Sequence, residues 1–276
     1  MSWSKLKNII ILMLVTVNLM LAALALFYWQ KEASSRRAAM ENAVAILGKQ
    51  GISLQTEWKE MSLPVLEIQR DQHREETVAT ALLGAAVRED RGAGVYRYSG
   101  DKGVIQFHSN GEFSASFAPG AFPLEGTQPE KHALETLELL DFQGQVVAVE
   151  SQDGITTVTV RQRYGDTLLL SCQAVLVYEN SCLTAISQGR RLNGTPSAAS
   201  KQEETIPAAS ALICFVNGLK ELGDVCSTVT AVEESYRFST SFSGPARLIP
   251  VWYITTDTGS YQLDGLTGEV SDSGTV

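Results

Sequence analysis

The stretch VVAVESQDGITTVTVRQRYGDTLLLSCQAVLVYENSCLTAIS, residues 146–187, decides the fold class. Val146 to Val149, Ile155 to Arg163, Thr167 to Tyr178 and Cys182 to Ser187 alternate or run apolar, as half-buried strands do. The pairs Asp153-Gly154, Gly165-Asp166 and Glu179-Asn180 separate them and supply the turns. Strands joined so tightly pair antiparallel. Just before them, Thr127 and Pro129 open a helix through Ala133, Leu134, Leu137, Leu139 and Leu140, with Glu130 placed for a capping box. A run of strands beside a helix is an α+β arrangement.

The same grammar extends in both directions. Toward the C-terminus, residues 194–204 form a polar loop, after which Thr205 and Pro207 open a helix through Leu212, Ile213, Phe215, Val216 and Leu219 to Gly223. Strands follow at Val225 to Phe238, Leu248 to Thr256 and Ser260 to Asp264, with Gly265 and Gly268 turning the chain into Glu269-Val270. Toward the N-terminus, Val65 to Gln69 reads as a strand and Arg74 to Val87 as a helix carrying Val78, Leu82, Leu83 and Val87. A meander holding Tyr96, Tyr98, Val104, Ile105, Phe107, Phe113 and Phe117 comes next, turned at Gly100-Asp101 and Asn110-Gly111. Residues 106–113, QFHSNGEF, parallel residues 262–270, QLDGLTGEV, with one residue inserted, so the helix-plus-sheet units read as diverged copies.

Ahead of all this, Ile9 to Trp29 forms 21 positions without a charged side chain. At about 1.5 Å per residue, such a helix crosses a hydrocarbon core of about 30 Å. Tyr28 and Trp29 close it with the aromatic residues favoured at a bilayer interface, and Lys5, Lys7, Lys31, Arg36 and Arg37 flank it. Ala23-Leu24-Ala25 resembles an export cleavage site, but the apolar run continues past it through Leu26 to Trp29, which suits an uncleaved anchor better. The flanking charges do not fix orientation. A short N-terminal tail staying inside while the long domain is exported places the bulk outside the cytoplasm. Ala38, Val44, Ile46 and Leu47 recur at helical spacing up to Gly51, extending the span outward as a stalk.

The division expected from these boundaries is 1–30 for the tail and spanning helix, 31–51 for the stalk and 52–126 for a first α+β subdomain. A second unit follows over 127–193, a linker over 194–204 and a C-terminal α+β unit over 205–276. Beyond the span, 20 basic residues face 31 acidic ones, a surplus of about eleven negative charges that repels nucleic acid.

Motifs of chemistry are sparse. His73, His108 and His132 stand far apart without metal-ligand spacing, and no nucleophile elbow, phosphate loop or dinucleotide fingerprint follows a strand. Asp71, Glu75 and Glu76, or Glu233 and Glu234, are the carboxylates close enough in sequence to act as a pair, and solvation of a helix or loop surface accounts for them more simply. The reading is a protein that is not an enzyme and takes no metal and no cofactor. Cys172, Cys182, Cys214 and Cys226 permit three complete disulfide pairings, although a turn at Glu179-Asn180 sets Cys172 opposite about position 187, against a Cys172–Cys182 bond. Asn193-Gly194-Thr195 is a glycosylation sequon. Within the span, Asn18 is an amide in hydrocarbon, a cost commonly relieved by hydrogen bonding to a neighbouring helix.

Met1-Ser2-Trp3-Ser4-Lys5 and Lys7, followed by an Ile/Leu-rich span holding Asn18-Leu19, resemble the opening of the YycI family of Gram-positive membrane regulators. Pro250-Val251-Trp252-Tyr253-Ile254, Tyr261-Gln262-Leu263-Asp264 and Thr267-Gly268-Glu269-Val270 are similar to the closing strands of YycI and its relative YycH, and to PepSY-type modules. The four cysteines depart from that pattern. The resemblance implies a single-pass membrane protein without catalytic residues, whose helix, through Trp3 and Asn18, contacts a YycG (WalK) sensor histidine kinase and a YycH-like protein. It would thereby adjust two-component signalling and cell-wall metabolism. The alternative expectation is an anchored PepSY-like binding or inhibitor module for an extracytoplasmic ligand or protease.

Overall fold

A computed structural model of the chain describes residues 3–240 and 245–273; Met1 and Ser2 of the opening motif lie outside them. The chain begins with a single helix α1 (Trp3–Lys49), then β1 (Ser53–Leu54) and β2 (Leu66–Ile68). Helix α2 (Gln72–Leu83) leads into β3 (Val87–Gly92), β4 (Val95–Gly100), β5 (Gly103–Phe107) and β6 (Glu112–Phe117). Helix α3 (Pro129–Glu138) leads into β7 (Gly144–Gln152), β8 (Ile155–Tyr164), β9 (Thr167–Glu179) and β10 (Cys182–Arg190). After β11 (Pro196–Ala198), helix α4 (Ala208–Leu222) leads into β12 (Thr228–Ser239), β13 (Ala246–Thr256), β14 (Ser260–Asp264) and β15 (Val270–Asp272). The protein is therefore α+β, with one apolar N-terminal helix and an antiparallel-dominated sheet. The repeat pattern extends to three units, each a helix followed by four strands. The two similar sequence strings fall on β5–β6 and β14–β15, the last strand pairs of the first and third units.

The first two meanders join edge to edge through β6 and β10, giving the order β3-β4-β5-β6-β10-β9-β8-β7, antiparallel throughout. One row of mutually paired residues crosses six of these strands: Tyr98, Ile105, Ala115, Ile186, Leu176 and Val158. Directly paired residues share a face, and all six are buried in one core with Val78, Leu82 and Leu83 of α2 and Ala133 and Leu137 of α3. Both helices thus cover the same face.

The third meander runs β12-β13-β14-β15. It is widened by β1 alongside β12 in parallel, β2 alongside β13, and β11 alongside β2. Its own core holds Leu212, Phe215 and Leu219 of α4 with Trp58, Trp252, Ile254 and Leu263. A single parallel bridge, Tyr236 to Leu169, ties the two sheets together, and Leu66, Ile68, Cys172, Phe238 and Leu248 fill the junction.

Several local expectations change. Helix α2 ends at Leu83 because Gly84, at φ +82, sends its N–H back to the Thr80 carbonyl; Val87 lies beyond it, in the exposed edge strand β3. The cap of α3 is Gln128 and makes no side-chain hydrogen bond, so Glu130 falls one position short of the place a capping box requires. The turn after β9 is centred on Asn180 and Ser181, both at positive φ. Irregularities in the β9–β10 register then set Ala174 opposite Gly189, so Cys172 projects beyond the paired part of β10. All four cysteines are free, and Cys172 is buried with its thiol pushed up to about 12 by desolvation. Part of the polar loop 194–204 is ordered as β11, paired on β2. On α1, the buried face is Ala43 and Leu47, while Val44 and Ile46 face outward.

Candidate functional site

Helix α1 is unbroken for 47 residues, about 70 Å at the rise of an α-helix. Fourteen large apolar side chains between Ile11 and Trp29 are exposed, and none of the described apolar stretch is buried against the rest of the chain. Leaving each in water forgoes about 1.5 kcal/mol or more. The sum exceeds the net stability of a typical domain, about 5–15 kcal/mol. Lipid or other helices must cover this surface, and its length and composition are compatible with a single-pass membrane anchor.

Trp3 and Asn18 both lie on α1 and are exposed, Trp3 at 82%. Fifteen positions separate them, about 22 Å along the axis and about 60° around it. The structure therefore does not bring them together, but it sets them on one broad side of the helix. The Asn18 side chain makes no hydrogen bond among the described residues, whereas Thr16 satisfies its hydroxyl on the Leu12 carbonyl.

The other end of α1 is bound into the third unit. Ala43 and Leu47 are buried against α4, and the chain then folds back so that Trp58 packs on Phe215 and Trp252 at ring separations of 6.0 and 6.3 Å. Pro207 offers no side-chain cap for α4, and Glu60 supplies one from across the fold: its carboxylate accepts from the Ala208 N–H at 2.8 Å. A negative charge at a helix N-terminus is favourable. The apolar stretch of α1 is thus continuous with a helix end packed on α4.

The open face of the eight-stranded sheet meets β13 and β14 across a cleft of about 510 Å³, within the size range of small-molecule pockets. His108, Glu112, Arg161, Gln173, Arg190 and Tyr253 line it. Arg161 and Gln173 are direct cross-strand partners and so point to the same side. Arg190 pairs with Glu112 at 2.6 Å. Hydrogen bonds from the Asn110 side chain and from Arg190 hold the Glu112 carboxyl below the ordinary glutamate value. The Nε of Arg161 is buried and has no hydrogen-bond partner among the described residues. Two arginines against one glutamate leave the wall one charge positive, on a strongly acidic protein. Gly189 completes the wall, and a Cβ there would come within 2.5 Å of the Phe113 ring.

Three of the five carboxylates singled out in the sequence do structural work. Asp71 caps α2 through the Arg74 N–H at 3.0 Å, Glu75 is buried in a two-pronged pair with Arg70, and Glu234 holds the backbone and hydroxyl of Ser62. Asn193 of the sequon is buried and donates to the Ser109 carbonyl, so it is not presented for modification. Spacing could not single out the cleft residues, because they come from different units and meet only across the sheets.

No protein-family model matches the chain, and no curated protein matches it. Among solved structures, it is similar to an uncharacterized protein from Eubacterium rectale ATCC 33656, with 11% identity, 80% of this chain and 85% of that one covered, and a TM-score of 0.45. It is also similar to the C-terminal domain of YpeB from Bacillus megaterium, with 12% identity, coverage of 75% and 98%, and a TM-score of 0.37. Neither likeness bears on function.

Proposed function

We propose that this chain is a non-catalytic, membrane-anchored module, held outside the cytoplasm, that binds a polar ligand in the inter-sheet cleft and relays its occupancy to helices beside its span. The observation that carries this reading is the continuity of α1, which runs without a break from the exposed apolar stretch to Ala43 and Leu47 in the core beneath α4. A rigid element shared by both ends is what a coupling between them requires. The guanidinium groups of Arg161 and Arg190 in the cleft wall suit a ligand oxygen.

The helix partner in this proposal is a sensor histidine kinase together with a YycH-like protein, and the consequence is altered two-component signalling over the cell wall. Supporting it are the family resemblance of the opening residues and Asn18, an exposed amide whose hydrogen bonds a neighbouring helix would satisfy. The second reading, an anchored binding or inhibitor module, shares the cleft and treats the span only as an anchor.

Photo-crosslinking from position 18 in living cells, with mass spectrometry of the captured species, tests the choice. Capture of a histidine kinase or a YycH-like protein supports the relay, and the control Asn18→Leu with the photo-probe moved to Leu19 should lower the yield. Capture of lipid alone, together with full function of a chain whose span is scrambled at equal hydropathy, overturns it in favour of the plain anchor.

A further inference from the structure

Immediately after β10 the chain carries a guanidinium into the interior. Arg191 is 2% exposed. Its Nε donates to the Leu192 carbonyl at 3.1 Å and its Nη1 to the Leu140 carbonyl at 2.9 Å, while Nη2 makes no hydrogen bond among the described residues. Buried charges are ordinarily matched by an opposite charge. Here the guanidinium lies 5.3 Å from the centre of the Phe107 ring, and the nearby carboxylates are already engaged, Glu75 by Arg70 at 2.8 and 2.9 Å and Asp141 by Arg74. Desolvation lowers the Arg191 pKa to about 10, against the pull of Glu75 and Asp141, so the group is still a cation at neutral pH.

Arg191 lines a recess of about 220 Å³, separate from the cleft, where the start of α2, the turn after α3, the end of β8 and the segment after β10 converge. Arg74 and Arg163 share its wall, with Asp141 the one carboxylate among the lining residues. The wall is fixed in place: Arg74 Nη1 donates to Thr195 Oγ1 at 2.9 Å, Arg163 Nη2 donates to the Asp166 carbonyl at 2.9 Å, and buried Gln162 accepts from the Leu192 N–H at 2.9 Å. Three arginines against one aspartate make this recess two charges positive on a chain of net charge −9.

We propose that this recess binds a compact oxyanion, a phosphate or a free carboxylate, with Arg191 as the buried counter-charge and Arg74 and Arg163 as the other cations of the wall. The geometry suits delocalised oxygens, which guanidinium groups match with paired donors.

The test is isothermal titration and thermal unfolding of the full chain in detergent micelles with inorganic phosphate and, separately, acetate, each against chloride at equal ionic strength. Saturable binding is expected from one of them, and which one assigns the anion. Arg163→Gln should weaken it about tenfold, as loss of a charge-assisted hydrogen bond does. Asp141→Asn should strengthen it, because a repelling charge goes while asparagine still tolerates the local φ of +59. Arg161→Gln, in the cleft, should leave it unchanged. Absence of saturable binding by both anions, or equal weakening by Arg161→Gln and Arg163→Gln, overturns the proposal.

Discussion

His132 and Tyr178 meet where α3 lies over β9, with the imidazole Nδ1 3.1 Å from the phenol oxygen and the rings edge to face at 5.7 Å. Burial pulls the histidine pKa below 6.5, partly opposed by Glu135, and burial pushes the tyrosine up. A base whose folded pKa is depressed binds its proton more readily when unfolded. Its contribution to stability is therefore complete above the unfolded value near 6.5 and is lost as pH falls from there through the lower folded value. Chemical-shift titration should place His132 below the ordinary histidine value, and urea unfolding should show a decline of stability on acidification through that window which His132→Gln flattens. Glu112 adds acid sensitivity at lower pH with the same sign, since its depressed carboxyl contributes above the unfolded value and loses that contribution as it protonates. In the sequence His132 stands far from the other histidines. Its partner Tyr178 lies 46 positions away, so periodicity carries no trace of the contact.

At the scale of elements, the join between α1 and α4 decides whether the span and the folded region move as one. Leu47 is completely buried in that join. Leu47→Ala should cost about 2–5 kcal/mol by urea unfolding of the micellar protein, from lost transfer energy plus an unfilled cavity. Glu60→Ala removes a cap supplied in trans and should cost about 1 kcal/mol. Val44→Ala, on the outward side of the same turns, should cost far less, and equal losses at Leu47 and Val44 would contradict the packing described. Ala38, Val44, Ile46 and Leu47 recur at helical spacing and α1 runs to Lys49, but Val44 and Ile46 face outward. Which side is buried depends on where α4 arrives, and nothing within residues 31–51 encodes that.

For the whole molecule, three helix-plus-four-strand units share two sheets, and the chain enters through a rod about 70 Å long. A break in the rod should uncouple its ends without unfolding either. Ala38→Pro removes a helix hydrogen bond and clashes with the preceding turn. Spin labels at Gln30 and Lys220, in a background with Cys182, Cys214 and Cys226 replaced by serine, should report a narrow distance distribution in the parent and a broad one in Ala38→Pro. The melting temperature of the folded region should stay within a few degrees. Equally narrow distributions would mean that α1 is not the rigid connection.

The sequence by itself determined the α+β class, most strand and helix positions, the helical stalk and the apolar span. These follow from local quantities: a period of two or of 3.6, turn pairs such as Asp153-Gly154, the left-handed stop at Gly223, and an uncharged run of known length. Only the tertiary structure decided that the first two meanders fuse through β6 and β10, that Glu60 caps α4, and that Arg161, Arg190 and Glu112 converge in a cleft. It alone also revealed that Arg191 is buried beside two other arginines. Those features join residues that are tens to more than a hundred positions apart. They are set by which strand edges pair and which faces meet, information that belongs to the assembled chain and to no single segment of it.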